Sequence, residues 1–202
     1  MNRRKLPLSF YQQSNVVDVA KQLVGKMLCT QINGESFTSG IITETEAYCG
    51  CGDKACHAND GTRTKRTETM YQSGGIAYIY LCYGIHHLFN VVTNTQNKAD
   101  AVLVRAIEPL DGKQTMLKRR SSQKVSPKLT AGPGRLTEAM GITTGHDTIS
   151  LTSDTIWIEE QGHSISEDEL IASKRIGVDY AGDDANRRWR FYPENSKWVS
   201  QK

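Results

Sequence analysis

Apolar residues recur at helical spacing near the start of the chain. Between Val16 and Val24 they return every three or four residues, which is typical of a helix with one buried face. Ser14 or Asn15 can cap its N-terminus, because their side-chain oxygens accept hydrogen bonds from unpaired backbone N–H groups. Gly25 favours termination just after the last apolar residue. We therefore predict a first helix from Val16 to Val24.

Runs of β-branched and aromatic residues, bounded by turn signals, predict strands over much of the rest of the chain. The turn signals are the dipeptides Asn33-Gly34, Gly74-Gly75 and Tyr83-Gly84. The first of these favours a two-residue type I′ hairpin. The predicted strands cover residues 26–32, 35–48, 76–82, 88–93, 101–107, 155–159, 190–192 and 197–200.

Further helix signals are scattered between the strands. Residues 49–69 read mainly as loop, with a short helix near 53–57. The other predicted helices run from a cap at Asp111 to about Arg120, from Pro133 to just before Gly141, and from a Ser166–Glu169 capping box to about Lys174.

Helices and strands do not alternate as βαβ units. We therefore expect an α+β fold, with a curved and largely antiparallel sheet flanked by helices and a protruding β-hairpin. The chain has 202 residues, a length at which a single domain spanning residues 1–202 is the default. No apolar run is long enough to span a bilayer.

The first residues and the cysteines bear on location. Residues 1–11 include basic side chains but no apolar signal-peptide core, so we expect no membrane association and an intracellular protein. That would mean the cytoplasm or nucleoid of a bacterium, or the nucleus of a eukaryote. The five cysteines are an odd number, which favours reduced thiols.

Charge along the chain is segregated, although the net charge is only +3. Residues 112–137 contain seven basic side chains and no acidic one. Two shorter basic clusters are residues 63–66 and 187–190, whereas acidic residues gather at 159–160 and 167–169. Such segregation favours a polyanionic partner, although for any single cluster a solvated surface is the commoner explanation.

A pair of carboxylates and a pair of tyrosines offer the clearest candidate chemistry. Glu44 and Glu46 are two residues apart in a predicted strand, so their side chains share a face. Tyr78 and Tyr80 share a face in the same way. Neighbouring strands that bring these groups together would form a pocket for a flat ring beside an acid–base group.

An ordered set of short motifs resembles the alkyladenine (methylpurine) DNA glycosylase family. The motifs extend over nearly the whole chain, and it is their order that distinguishes them from chance matches. They are ETEAY (44–48), Ala55 to His57, YIYLCYG (78–84), Asn90, VRAIEP (104–109), GPGRL (132–136), RIGV (175–178) and RFY…WVS (190–200).

The resemblance implies a monofunctional enzyme that starts base excision repair. Such an enzyme flips a damaged purine out of double-stranded DNA and hydrolyses its bond to the sugar. The expected bases are alkylated or deaminated purines of the 3-methyladenine, hypoxanthine and ethenoadenine types. The motifs contain no pocket lysine for a Schiff base, and we expect no cofactor and a monomer.

Three residues would carry the chemistry if the resemblance holds. It implies that Glu46 is the general base, that Arg105 helps to hold the attacking water, and that the main-chain carbonyl of Ile176 completes the water site. A carboxylate also stabilises the positive charge of an oxocarbenium-like transition state. Without the resemblance, Glu46 would read as a surface carboxylate of a strand. We expect Glu44 to be structural.

Five residues would form the pocket for the flipped base. The resemblance implies that Tyr48 stacks on one face of the base, and that His57 and Tyr80 stack on the other. Ala55 belongs to the same segment as His57, and Asn90 would exclude guanine by opposing its 2-amino group. Core packing is the alternative for the tyrosines.

The remaining candidates would contact the DNA outside this pocket. Tyr83, at a turn before Gly84, would act as a wedge that fills the gap left by the flipped base. The candidates for binding phosphates are Arg63, Lys65, Arg66, Gly132, Gly134 and Arg135.

Two other classes of function stay open at this point. Cys49, Cys51, Cys56 and His57 could bind zinc in a non-catalytic nucleic-acid-binding module, although their spacing is not that of a common zinc finger. We expect no metal. The second alternative is a metabolic enzyme that uses Glu46 on a free nucleoside, which the basic clusters disfavour.

Overall fold

A computed structural model describes residues 4–32, 34–160 and 165–202. Within these ranges the chain forms nine strands and four α-helices. The strands are β1 (Arg4–Lys5), β2 (Met27–Thr30), β3 (Thr38–Tyr48), β4 (Ala77–Cys82), β5 (His86–Thr93), β6 (Asp100–Pro109), β7 (Ile156–Glu160), β8 (Leu170–Ser173) and β9 (Arg190–Pro193). The helices are α1 (Leu8–Tyr11), α2 (Val16–Leu23), α3 (Lys113–Arg119) and α4 (Pro133–Met140).

The nine strands belong to one curled sheet. Seven of them follow the order β1-β7-β2-β3-β6-β5-β4, while β9 pairs with β3, and β8 pairs with β9. Every strand pair in the described ranges is antiparallel. The predicted α+β class and antiparallel sheet are therefore confirmed.

β3 is the strand at which the sheet divides. Its first half pairs with β2 from Thr38 to Ile41, and its second half pairs with β9 at Thr45 and Glu46. On its other side β3 pairs with β6 along most of its length. The part of β3 that carries Glu46 therefore has neighbouring strands on both sides.

A local irregularity between β3 and β6 gives Arg105 its direction. The register runs from Ile42↔Ile107 to Glu44↔Ala106 and then to Thr45↔Val104, which leaves Arg105 without a partner residue across the ladder. Bulges of this kind bend a strand and re-aim a side chain. The main-chain carbonyl of Arg105, which has no partner in the ladder, accepts a hydrogen bond from the N–H of Gly132.

The two faces of the sheet have different neighbours. One face packs against α2 and α4 in the main core, to which β6 contributes Val102 and Val104. The alternate residues of β6 point to the other face, where Ala101, Leu103 and Arg105 line a cavity. The alternation along these strands thus separates the core from the candidate site.

The signals at the ends of two helices are confirmed. The side chain of Asn15 accepts hydrogen bonds from the backbone N–H groups of Val17 and Asp18 at the start of α2. Gly141 ends α4 with a left-handed φ of 73°. Both are local signals, and they work because their partners lie within a few residues.

Tertiary contacts overturn several other element predictions. β3 begins at Thr38 rather than at residue 35. The main-chain N–H of Glu35 donates to the carbonyl of Ile32 at 2.8 Å, across the predicted two-residue turn. Its first turn residue, Asn33, lies outside the described residues. Residues 53–57 form turns instead of a helix, and residues 197–200 do not form a strand.

Two predicted helix starts are wrong for identifiable reasons. Asp111 does not cap α3, because its carboxylate accepts a hydrogen bond from Ser39 and Gly112 takes the cap position. The Ser166 hydroxyl does donate a hydrogen bond to the Glu169 carboxylate, but only a short 3₁₀ helix (Glu167–Glu169) follows. The chain then becomes β8, because β9 offers a strand edge to pair with.

The hairpin between β4 and β5 projects from the sheet. Its ladder ends at Cys82↔His86, and the turn contains Tyr83 and Gly84, both with positive φ. Tyr83 is 91% exposed. Among the described residues, no helix combines the length and the apolar character needed to cross a membrane.

Candidate active site

A cavity of about 560 Å³ opens on the face of the sheet opposite the main core. Four adjacent strands contribute alternate residues to it, and the loop after β3 and the segment around Ile176 close its sides. Its walls include every residue predicted for the base pocket, namely Tyr48, Ala55, His57, Tyr80 and Asn90, together with Arg105, Ile176 and Tyr83.

Glu46 is fully buried behind the wall of this cavity, and the residues that donate hydrogen bonds to it line the cavity. Its Oε2 accepts hydrogen bonds from the Tyr48 hydroxyl at 2.8 Å and from Arg105 Nη1 at 3.1 Å. Its Oε1 accepts one from the main-chain N–H of Ile176 at 2.8 Å. These three donors replace the water that a buried carboxylate has lost. The structure therefore brings together Glu46, Arg105 and Ile176, although Ile176 contacts Glu46 through its main-chain N–H and the water-binding role predicted for its carbonyl stays a prediction.

Glu44 is equally buried and has a different set of partners. It accepts hydrogen bonds from Arg105 Nε, from Arg190 Nη1, and from both the main-chain N–H and the hydroxyl of Ser200. Arg105 thus bridges the two carboxylates, with Nε on Glu44 and Nη1 on Glu46. Glu44 fixes the guanidinium plane that faces Glu46.

Arg175 supports the same site from behind Tyr48. Its guanidinium forms a two-pronged ion pair with buried Asp53, at 2.6 and 2.7 Å. It also donates to the main-chain carbonyl of Ala47 and lies 4.8 Å from the ring centroid of Tyr48. Because Ile176 is the next residue, one buried ion pair fixes both the Tyr48 ring and the amide that contacts Glu46.

Three further aromatic rings of the cavity wall are those of His57, Tyr78 and Tyr80. The ring centroids of Tyr78 and Tyr80 are 5.4 Å apart, and the His57 ring meets Tyr80 edge to face at 4.8 Å. Burial raises the pKa of Tyr78 to about 12. All of these rings present apolar area to the cavity, which suits a flat aromatic ligand.

His57 is neutral at physiological pH. Burial, with a smaller contribution from the Arg66 charge, lowers the pKa of His57 to about 4. Its Nε2 lies 3.2 Å from Arg66 Nη2 and its Nδ1 lies 3.2 Å from the Tyr78 hydroxyl. Since a guanidinium can only donate, Nε2 is the acceptor and Nδ1 carries the proton.

Two polar groups at the cavity wall are held in fixed orientations. The side-chain amide of Asn90 is buried and donates to the main-chain carbonyls of Tyr78 and Leu88. The carbonyl of Ala55 accepts a hydrogen bond from the hydroxyl of Tyr180. Orienting an amide in this way is what a site needs to distinguish the edges of similar rings.

Tyr83 stands at the mouth of the cavity on the projecting hairpin. Leu81 and Ile85 beside it are also exposed, at 44% and 72%. Tyr83 has a φ of 51°, an unusual value for a residue with a Cβ. The three side chains form an exposed apolar tip, which indicates a surface that is covered by a partner.

The predicted phosphate-binding residues differ in availability. The N–H of Gly132 is already engaged by the carbonyl of Arg105, which removes it from the predicted set. Gly134 packs against the His86 ring, and Arg135 donates to the carbonyl of Ala131 at the start of α4. Backbone packing thus accounts for the two glycines of this motif without any ligand.

The basic clusters are partly neutralised by the protein itself. Arg63 pairs with Glu68, and Arg119 and Arg120 pair with Glu35 and Glu138. Lys65 is exposed, whereas Arg66 lies over the Tyr80 ring and lines the cavity. The number of basic residues in the sequence therefore overstates the unpaired positive charge that these clusters present to a polyanion.

The zinc alternative finds no support in the described residues. They contain no group of three or more His, Cys, Asp or Glu side chains arranged to hold a metal ion. Both ring nitrogens of His57 have hydrogen-bonding neighbours, and Cys51 is exposed while Cys56 is buried. The cysteines and His57 therefore do not form a common site.

Sequence reasoning missed the residues that hold the site together. Arg175 is the first residue of the RIGV motif, and its position next to Ile176 was the available signal. Ser200 likewise ends the WVS motif, whereas Asp53 and Tyr180 had no such signal, because their partners are 122 and 125 residues away in the chain. These contacts depend on the folded chain.

Comparison with known proteins shows the family of the chain. The profile of the family described as methylpurine-DNA glycosylase (MPG) matches residues 9–197. Two curated relatives carry the name "Putative 3-methyladenine DNA glycosylase". The protein from Chlamydia felis is 50% identical over 188 residues, covering 92% of this chain and 94% of its own. That from Natranaerobius thermophilus is 42% identical over 200 residues, covering 97% and 98%. The chain therefore belongs to the methylpurine-DNA glycosylase family.

Proposed function

We propose that this protein hydrolyses the bond between deoxyribose and damaged purines in double-stranded DNA, including 3-methyladenine, hypoxanthine and ethenoadenine. One observation carries the proposal. Glu46 is fully buried and has three hydrogen-bond donors, Tyr48, Arg105 and Ile176, and all three of these residues line a cavity with aromatic walls. This arrangement combines a base with a slot for a planar ring, which is what removal of a flipped purine requires.

The proposed reaction needs one water molecule and no cofactor. Glu46 accepts a proton as the water oxygen bonds to C1′ of the sugar. The bond between C1′ and the purine nitrogen breaks, and its electron pair leaves with the base. A neutral purine leaves as an anion and takes up a proton from solvent, and Glu46 returns its proton to solvent. The products are the free purine and an abasic site. The negative charge of Glu46 also stabilises the oxocarbenium-like sugar in the transition state.

Arg105 and Ile176 are proposed to orient this base. The two N–H donors on opposite oxygens of Glu46 fix the plane of the carboxylate. A fixed plane lowers the cost of reaching the reactive geometry, because little reorganisation is needed at the moment of reaction. None of the described residues that line the cavity is a lysine, in keeping with hydrolysis in place of Schiff-base chemistry.

The proposed recognition rests on stacking and on one amide. A purine would lie between Tyr48 and the pair formed by His57 and Tyr80. Stacking contributes roughly 1–3 kcal/mol per base, which is comparable to the few kcal/mol that extrusion of a nucleotide costs. Asn90 would exclude purines with a 2-amino group. We further propose that the protein acts as an intracellular monomer.

The direct test uses duplexes that each contain one modified purine. The purified protein is incubated with 3-methyladenine, hypoxanthine, ethenoadenine or undamaged duplex, and abasic sites are then cleaved with alkali. We expect strand breaks at the modified positions and none in undamaged DNA. Hydrolysis of free nucleosides, without release of bases from duplexes, would instead support the metabolic alternative.

A further inference from the structure

Arg66 occupies an unexpected position for a residue in an exposed basic cluster. Its guanidinium carbon lies 4.7 Å from the ring centroid of Tyr80, and its Nη2 lies 3.2 Å from Nε2 of His57. Both partners belong to the proposed base pocket, and Arg66 itself lines the cavity. The sequence had placed Arg66 with Arg63 and Lys65 as a candidate for binding DNA phosphates.

The charge on Arg66 is not balanced by a nearby carboxylate. Among the described residues, no carboxylate oxygen lies within 4 Å of its guanidinium, whereas its neighbour Arg63 pairs with Glu68. His57 cannot compensate, because it is neutral and already accepts from Arg66. The rim of the pocket therefore has a net positive charge next to the place where a purine would stack.

We propose that Arg66 is a specificity-determining residue that favours neutral damaged purines over cationic ones. The inference rests on the proposed function of the cavity. Alkylation at N3 of adenine in DNA leaves a fixed positive charge on the ring, whereas hypoxanthine and ethenoadenine are neutral. A guanidinium at the pocket rim distinguishes these classes by charge, independently of their shape.

The discrimination acts on both binding and bond cleavage. A cationic purine that enters the pocket is repelled by Arg66, which lines the same cavity, and the exposure of the Arg66 side chain reduces this repulsion through screening by solvent. A neutral purine leaves with the electron pair of the broken bond and so gains negative charge, which Arg66 stabilises. Both effects raise the relative efficiency on neutral purines.

The experiment compares the release of hypoxanthine and of 3-methyladenine, two bases that can both lie opposite thymine. Hypoxanthine is supplied in a defined duplex, and 3-methyladenine is supplied in a duplex treated with dimethyl sulfate. Released bases are quantified under single-turnover conditions as a function of enzyme concentration. The readout is the ratio of the two efficiencies, each the maximal rate divided by the half-saturating concentration. Arg66→Gln removes the charge, Arg66→Lys keeps it without the planar group, and Lys65→Gln removes an adjacent exposed charge.

We expect Arg66→Gln to shift the ratio about tenfold or more toward 3-methyladenine, and Arg66→Lys to shift it less. Lys65→Gln is expected to lower both efficiencies by the same factor, because a phosphate contact does not depend on the base. An equal loss on both bases in Arg66→Gln would overturn the inference and return Arg66 to the phosphate contacts. An unchanged ratio with unchanged rates would overturn it as well.

Failure of the proposed function gives a different result. A wild-type protein that releases neither base would contradict the assignment of the cavity itself. A wild-type protein that releases 3-methyladenine but neither hypoxanthine nor ethenoadenine would leave base excision intact and contradict the role of Arg66. Thermal unfolding of each variant, compared with that of the wild type, excludes loss of fold as the cause.

Discussion

The two ends of the base cavity are built in opposite ways. At the inner end, Glu44 and Glu46 are fully buried, and Arg105 and Arg190 neutralise them. At the mouth, Tyr83 is 91% exposed and is flanked by exposed Leu81 and Ile85. The inner groups find their partners within the protein, whereas the apolar hairpin tip needs an external partner to cover it.

This difference indicates when each end forms its stabilising contacts, either during folding or on binding. Buried charges are stable only when geometry and partners are fixed during folding, so the inner end is set before any substrate arrives. An exposed aromatic makes its contacts only on binding, so its contribution depends on which substrate is bound. Substitutions at the inner end should therefore affect all substrates, and substitutions at the tip should discriminate among them.

The largest effect is expected for Glu46→Gln. The amide keeps the shape of the side chain but cannot accept the proton of the water, so single-turnover excision should fall by about 10²- to 10⁴-fold. Binding of a duplex that contains a lesion should be retained. Glu108→Gln changes an exposed carboxylate on neighbouring β6 and serves as the control. Near wild-type excision by Glu46→Gln would remove Glu46 from the role of base.

Glu44→Gln should cause the next largest loss, through stability as well as activity. It leaves Arg105 and Arg190 buried with one negative charge fewer, and breaking a buried ion pair costs about 3–5 kcal/mol. Chemical denaturation measures this change, and excision of every lesion should fall by a similar factor. Glu160→Gln, which alters the more exposed ion pair with Lys26, should cost less than about 1 kcal/mol. Equal destabilisation by both variants would contradict a special role for Glu44.

Tyr83→Ala should have a smaller effect that depends on the substrate. If the ring stabilises the flipped state, excision should fall about tenfold for a lesion in a stable pair, where extrusion is costly. The loss should be smaller opposite a mismatch and smallest in single-stranded DNA. Single-turnover excision of one lesion in the three contexts measures the pattern. Equal losses in all three, in a variant that unfolds at the wild-type temperature, would assign Tyr83 to the pocket wall.

The smallest effect at neutral pH concerns His57, whose contribution to stability changes only as the pH falls. Burial and Arg66 lower the pKa of His57 from 6.5 to about 4, so the unfolded chain takes up a proton near pH 6.5 that the folded chain excludes until about pH 4. The folded state should therefore lose stability as the pH falls through this window, and His57→Gln should lose less. Unfolding temperatures of both proteins between pH 4 and pH 7.5 measure the difference. Parallel curves would show that His57 titrates near its ordinary value.

Local signals in the sequence were enough for much of the fold. Asn15 and Gly141 mark helix ends through partners a few residues away, and alternation along β3 and β6 separates core residues from cavity residues. The family motifs also indicated the residues that meet at the cavity, and some of their contacts are between near neighbours, such as Tyr48 and Glu46, two residues apart. Such inferences succeed because helix and strand periodicity is a property of the backbone.

Tertiary structure alone decided the features whose partners are distant in the chain. Residues 170–173 became β8 because β9 offered an edge, against the local capping signal at Ser166. The bulge at Arg105, the four hydrogen bonds of Glu44 and the placement of Arg66 over Tyr80 likewise depend on groups brought together by folding. The sequence determines which side chains are available for chemistry. Their distances, burial and charge balance arise only when the sheet curls and brings its strands and loops around one cavity.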